Sequence, residues 1–437
     1  MTKMNKYIIV IFTILLLTAC NKHEDPAPTP EPTPTLAERT VLVYMSGENN
    51  LTKDSSSPGV SYLEDDYKEM LEGSYSLNSN QHLIAFIDSV GTDNKPHIVE
   101  IANGVAKNVY QYDSEFYASD PNKFLEVIKW GMNQYPAHEY GLVLWGHATG
   151  WSIATDSVAT TAAARADTRA YGQDKGWDMT GGTDRWMNIT QMAQALEQLP
   201  TKLKYIFADC CCMSCVECAY ELRNSAEWFI ASPAEIPGEG APYQKIVPKL
   251  FSTSSTFYKD ICDCYYDYFI DAYVSPEYTQ YSDMAYLQGY SVPLSAFCLS
   301  KMDDLAVATR LLMSTFMPKY PEQLDLNKLP FYFGYSSTAV MFDTKAVFQK
   351  YAPESDYYKW LTTYNQAVPY QLISHQWMTI YSIIYNRFST FPTNDDVWGC
   401  TSMFFPQANY STHTYRYNDR IKQLQWYNAV DWPAYGW

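Results

Sequence analysis

Basic residues are scarce in this 437-residue chain: Lys and Arg number 31 against 48 Asp and Glu, for a formal charge of −17. Neutralising a phosphate backbone needs a surplus of cations, so the balance argues against a nucleic-acid partner. Long apolar runs are also missing. The longest, Tyr7–Leu17 behind Lys3 and Lys6, is too short to span a bilayer and reads as a signal-peptide core. There is no internal repeat and no EF-hand loop. His82, His97, His138, His375 and His413 lack metal-ligand spacing with carboxylates or with one another. The ten cysteines do not form a disulfide framework, because apart from Cys20 they are odd in number and clustered.

What is present begins at the N-terminus. "LTAC" (Leu17–Cys20) is similar to a bacterial lipobox, in which cleavage precedes a cysteine that is then diacylated. Residues 1–19 are expected to be a lipoprotein signal peptide and Cys20 a lipid anchor in the membrane. Asn21 at the next position points to an outer-membrane lipoprotein, periplasmic or surface-exposed. Pro26–Thr35 alternates proline with alanine, threonine or glutamate and completes a 20–35 linker of extended polyproline character. A globular region then starts near Leu36, and at 47% hydrophobic residues it can bury a large core.

Six short apolar runs follow: Thr40–Met45, His82–Asp88, Gly141–His147, Lys204–Cys210, Glu227–Pro233 and Pro293–Ser300. Helical spacing near Asn122–Gln134 and in "ITQMAQALEQL" separates some of them. Strands alternating with helices predict an α/β fold with a mainly parallel sheet covered on both faces. Residues 36–300 read as this domain. Residues 301–437 read as mostly helical, with one strand near Cys400–Pro406, and are assigned to the same unit as an extension.

In such sheets, reactive groups gather beyond the carboxyl ends of the strands. The third run ends at His147 and the fourth at Asp209-Cys210-Cys211. "FADCCCMSCVECAYELR" (207–223) holds five cysteines. Cys212-x-x-Cys215-x-x-Cys218 matches three ligands of a ferredoxin-type run, but Leu222 stands where the fourth would be sought. Spacing by three along a helix equally well describes a buried stripe of small side chains. The alternative is a nucleophile. With a helix opening after the fourth strand, Cys211 would meet the positive end of its dipole, and a histidine on the neighbouring strand end could move protons. These arguments alone do not choose among Cys210, Cys211 and Cys212.

"RTVLVYMSGENNL", "YGLVLWGHATGW", "IFADCCCMSCVECAYELR" and "ASPAEIPGEGAPY" resemble, in that order and spacing, the clostripain family of cysteine peptidases. "SAFCLSKMDDL", "GCTSMFFP" and "WYNAVDW" extend the likeness over 39–437. The resemblance implies a caspase-like αβα sandwich and a Cys211–His147 dyad, with one residue to be accommodated around Ser214-Cys215. It also implies endopeptidase cleavage of peptide or protein substrates after Arg or Lys, with Asp209 lining the specificity pocket. Ala148 and Gly150, beside the histidine, are expected to border the substrate; Ala148 replaces the family's glycine, and Pro233, Ala234 and Ala241 are further departures. No cofactor is required, although calcium use occurs in the family. Self-cleavage in some relatives makes the loop holding Arg165, Arg169, Lys175 and Arg185 a candidate maturation site. The alternative function is a catalytically weak or inactive homologue that binds peptides or glycans.

Overall fold

The computed structural model describes residues 36–437 except 54–57, 92–93, 153–170, 177–184, 275–289, 321–322, 336–337, 375, 379–388, 391–397 and 412–415. Cys20, the signal and linker segments, Arg165, Arg169, His375 and His413 lie outside the described residues.

The five first-read apolar runs become β1 (Ala37–Gly47), β2 (Gln81–Ser89), β5 (Ala137–Trp145), β8 (Leu203–Asp209) and β9 (Ala226–Ala231). They pair parallel in the order β9-β8-β5-β1-β2. A hairpin of β3 (His97–Ala102) and β4 (Val105–Gln111) extends one edge antiparallel. Between β5 and β8 in the chain come β6 (Tyr171–Asp174) and β7 (Arg185–Met187), a small separate pair. The sixth run, β10 (Leu294–Cys298), joins antiparallel to β9 rather than continuing the parallel set.

Period-two alternation places each strand's side chains in two cores. Leu42 and Tyr44 of β1 and Ile206 and Ala208 of β8 face one layer. Val41, Val43, Met45, Tyr205 and Phe207 face the other. Burial on both faces explains why these strands read as continuous apolar runs. Helices cover each layer and begin where the chain supplies caps. Asp120 accepts from the Asn122 and Lys123 amides ahead of Pro121–Gln134, and Asn188 forms a capping box with Gln191 ahead of Ile189–Leu196.

The region after residue 300 is mostly helical but holds more strands than the single one expected near Cys400–Pro406. Besides the helices Met302–Phe316, Thr344–Tyr351 and Glu354–Ala367 it contains β11 (Phe331–Tyr335), β12 (Thr338–Asp343) and β13 (Tyr370–Leu372). The strands β11 and β12 form a small sheet with Ser402–Met403, and β13 extends the main sheet beyond β10. Aromatic runs such as "FYFGY" carry β propensity that a helical reading overlooks. Residues 36–437 form one compact unit. Its parts are tied by the Phe404 amide donating to Glu217 Oε1 at 2.8 Å and by the Trp426 ring against Tyr220 at 5.3 Å.

Candidate active site

The parallel register sets the site. Trp145 of β5 lies opposite Asp209 of β8, so His147 and Cys211, each two residues further, leave adjacent strands at the same level. Ideal parallel strands are about 4.8 Å apart, which puts the two side chains in one neighbourhood above the sheet's carboxyl edge.

His147 is half-buried, and its Nε2 lies 2.8 Å from Asn50 Oδ1. An amide oxygen only accepts, so Nε2 carries the proton of this contact. Asn50 follows β1, the strand beside β5, within the "SGENNL" segment, but an asparagine there carries no signal of its role without the fold. The carbonyl of His147 accepts from Gly172 N–H at 2.8 Å, which fastens its loop to β6.

Cys211 is half-buried while Cys210, Cys212, Cys215 and Cys218 are fully buried. Position in the fold therefore selects Cys211 among the adjacent three. Its environment differs from the expected one. The helix opens at Val216 with Cys215 as N-cap, not at Cys211, so no helix dipole acts on this thiol. Tertiary pairing overrides local helix propensity: Ser214 N–H donates to Ser232 O at 2.8 Å, Ser402 N–H donates to Ser214 O at 3.0 Å, and Cys215 bridges Ser402. Cys212 sits at φ 61°, a conformation costly for any residue with a Cβ. The Cys212 N–H donates to Ala234 O at 2.9 Å, holding the bend.

The loop after β9 covers the thiol. Ile236 N–H donates to Cys211 Sγ at 3.4 Å. Burial and then the nearby Glu235 carboxylate push the thiol up to about 12, against the lowering effect of that amide. Both effects favour the protonated thiol over the thiolate.

Asp209 is buried at the base of the site. It accepts from Ala241 N–H at 3.1 Å and from the Tyr243 and Tyr265 hydroxyls, each at 2.9 Å. Asp66 accepts from Trp145 Nε1 at 2.5 Å, and Glu69 accepts from Tyr243 N–H at 2.9 Å. An added Cβ on Gly240 would lie 3.0 Å from an Asp209 oxygen and 3.2 Å from an Asp66 oxygen, so these two carboxylates converge. Burial raises both, and mutual repulsion adds to the rise at Asp66. Glu69 is raised to about 7, chiefly by burial.

Ala148 is buried, outside the left-handed region, and bridged antiparallel to Tyr171. A Cβ there carries no backbone penalty. Gly150 does require its missing Cβ: at φ 65°, that atom would lie 2.5 Å from Cys212 O and 3.1 Å from Met341 Cε. Both residues are packed against protein, not presented as open substrate contacts.

The cysteines at 210–218 are not among the groups of three converging ligand atoms found in the described residues. Among the described residues, the one group of three or more His, Cys, Asp or Glu with converging ligand atoms is Glu48, Asp88 and Asp174. Among them, too, no helix is long and apolar enough to cross a membrane.

Nothing among curated proteins matches this chain. Among solved structures, a secreted C11 cysteine protease from Bacteroides thetaiotaomicron, bound to an irreversible peptide inhibitor, superposes with a TM-score of 0.72 at 26% identity. The match covers 91% of this chain and 100% of that one. An inactive zymogen C11 protease from Parabacteroides distasonis gives 0.67 at 24%, covering 91% and 99%, and shows the shared fold. The clostripain family profile matches residues 43–437, nearly the whole described region and both strand ends that carry Cys211 and His147: the chain belongs to the clostripain family of cysteine peptidases.

Proposed function

We propose that this chain is a cysteine endopeptidase that cuts after Arg or Lys, with Cys211 as nucleophile and His147 as proton carrier. The observation that carries the reading is the in-register placement of these two residues on neighbouring parallel strand ends. His147 takes the Cys211 proton as sulfur attacks the peptide carbonyl carbon. The imidazolium then gives that proton to the leaving amine, and water, deprotonated by the same ring, releases the acyl group. Asn50 holds the ring for both transfers.

Preference for a basic residue is supported by Asp209, Asp66 and Glu69, none of which makes an ion pair among the described residues. An entering guanidinium or ammonium would favour their ionised forms and gain charge-assisted hydrogen bonds. Reaching Asp209 requires displacing the Tyr243 or Tyr265 hydroxyl. The protein is proposed to act in the cell envelope, anchored through Cys20 to the outer membrane. Self-cleavage is proposed between Thr155 and Trp186, at Arg165, Arg169, Lys175 or Arg185, which a Cys211→Ala protein still clipped there would rule out.

The amide and Glu235 over Cys211 favour a second reading, a resting or inactive homologue that binds peptides or glycans. A panel of fluorogenic peptides ending in Arg, Lys or a neutral residue separates the two. Turnover of basic substrates that disappears in Cys211→Ala and His147→Ala supports the peptidase; equal signal from all three proteins sinks it.

A further inference from the structure

We propose that Cys215 and Cys218 are a modification site, closing a disulfide across the first turn of the helix Val216–Glu221 by exchange with a small disulfide such as glutathione disulfide. Cys215 is the N-cap of that helix, in extended conformation at φ −116° and ψ 146°. Ala219 N–H donates to Cys215 O at 3.1 Å and closes the turn, which makes Cys218 the third helical residue. Residues three apart on an α-helix have Cα atoms about 5 Å apart, inside the roughly 4.4–6.8 Å that disulfides span. An N-cap side chain also folds back over this third residue, as it does when it caps the amide there. The Cys215 side chain makes no capping hydrogen bond; its sulfur is instead in hydrogen-bond contact with the Cys218 thiol.

The surroundings select this pair. Cys210, Cys211 and Cys212 are adjacent in the chain, and a bond between neighbours strains the peptide that joins them. Cys212 is further committed to its turn at φ 61°, with its amide on Ala234 O. Cys262 lies in the opposite layer of the sheet, Cys298 contacts Ser300 Oγ at 3.4 Å, and Cys400 Sγ donates to Leu372 O at 3.0 Å. Cys215 and Cys218 are both 0% exposed. A covalent S–S pair takes less room than two thiols in contact, so the close packing around them accepts the bond.

The chemistry is two exchanges. One cysteine thiolate attacks the donor disulfide, forming a mixed disulfide and expelling one donor thiolate. The second cysteine thiolate then attacks the chain's own sulfur, forming the Cys215–Cys218 bond and expelling the other donor thiolate. The two cysteine protons end on the two donor thiols, and the donor takes the two electrons. Burial, then contact with Cys215, pushes the Cys218 thiol well up, so exchange proceeds while the chain folds or this segment opens. The cell envelope proposed above is a compartment in which such bonds persist.

The bond would fix a crowded junction. Ser214, just before Cys215, is held by Ser232 O and by the Ser402 amide. A Cβ added to Gly150 of the histidine loop would lie 3.4 Å from Cys215 Sγ. Tying Cys215 to Cys218 therefore joins the nucleophile turn to the helix behind it. The pairing itself stands apart from the peptidase reading.

The test uses the full chain carrying Cys211→Ala, so that no turnover is needed. The protein is refolded from urea in oxidised and reduced glutathione, acid-quenched, alkylated with iodoacetamide in denaturant, and mapped by tandem mass spectrometry. Cys215 and Cys218 should be about tenfold less alkylated than Cys210 of the same chain, in a peptide lighter by two hydrogens. The oxidised protein should melt above its reduced form. The bond should survive Cys212→Ala and vanish in Cys215→Ser and Cys218→Ser. Full alkylation of both cysteines overturns the proposal, as does a glutathione adduct in place of the bond. Loss of the bond in Cys212→Ala also overturns it, by assigning Cys212 as the partner. These outcomes are read on the parent and Cys212→Ala even where a serine variant fails to fold.

Discussion

Gly150→Ala is the sharpest test of how the histidine and cysteine loops fit together. The added methyl meets two separate obstacles. At φ 65° an alanine costs about 1–2 kcal/mol relative to glycine. The same atom would lie 2.5 Å from the Cys212 carbonyl oxygen, below any ordinary carbon–oxygen contact, and overpacking of this kind costs about 1–3 kcal/mol. The obstacle is backbone, not a swinging side chain, and that backbone is itself held at φ 61° and bonded to Ala234. The combined penalty is about 2–5 kcal/mol, a large share of a typical domain's stability. Urea unfolding of Gly150→Ala on the Cys211→Ala background, which prevents self-digestion, reads it directly. Active protein with Gly150→Ala should also alkylate at Cys211 at a changed rate, since Cys212 must move. A midpoint within about 0.5 kcal/mol of the parent would refute the packing argument. Unchanged stability with reduced kcat/KM would return Gly150 to a substrate contact.

Ala148→Gly should gain no activity and lose about 0.5–1 kcal/mol, because Ala148 is bridged in an ordinary conformation and glycine only adds freedom to the unfolded chain; a marked rise in kcat/KM would overturn this. Resting Cys211, with its thiol pushed up to about 12, should react with iodoacetamide about tenfold faster per pH unit from 7 to 10 without levelling off. A plateau near pH 6 would show a preformed thiolate. Glu217 is fully buried and raised by burial from 4.5 to about 8. Its contribution to stability is full below pH 4.5 and is lost as pH rises through 8, a span worth at most roughly 5 kcal/mol. Glu217→Gln keeps the acceptor for Phe404 N–H and should flatten that slope in urea melts between pH 5 and 8; an unchanged slope would count against it.

The parallel strands were legible because burial on two faces writes itself as unbroken apolar runs, and two of those runs ended in reactive residues. The sixth strand's direction was not, since a five-residue apolar segment reads the same in either orientation. The aromatic strands after residue 300 were hidden by the same short-range ambiguity. At the site, Cys211 and His147 could be placed by strand ends and family likeness, but the chemistry around them depends on contacts far apart in the chain. Ser214 is inserted between Ser232 and Ser402, and that pairing moves the helix start from Cys211 to Val216. The thiol thus loses the dipole that local sequence offered and lies instead under Ile236 and Glu235. The same logic applies to Glu48, Asp88 and Asp174, separated by up to 126 residues (174 minus 48) and joined only by strand register and β6. Their convergence becomes visible when β1, β2 and β6 are assembled, because Glu48 follows β1, Asp88 lies near the end of β2 and Asp174 ends β6. If activation requires Glu235 and Ile236 to move off the sulfur, then substrate must displace the loop that also anchors Cys212 through Ala234. Strain held at Cys212 would then be released in the same motion, making the covering loop and the nucleophile turn a single mechanical element.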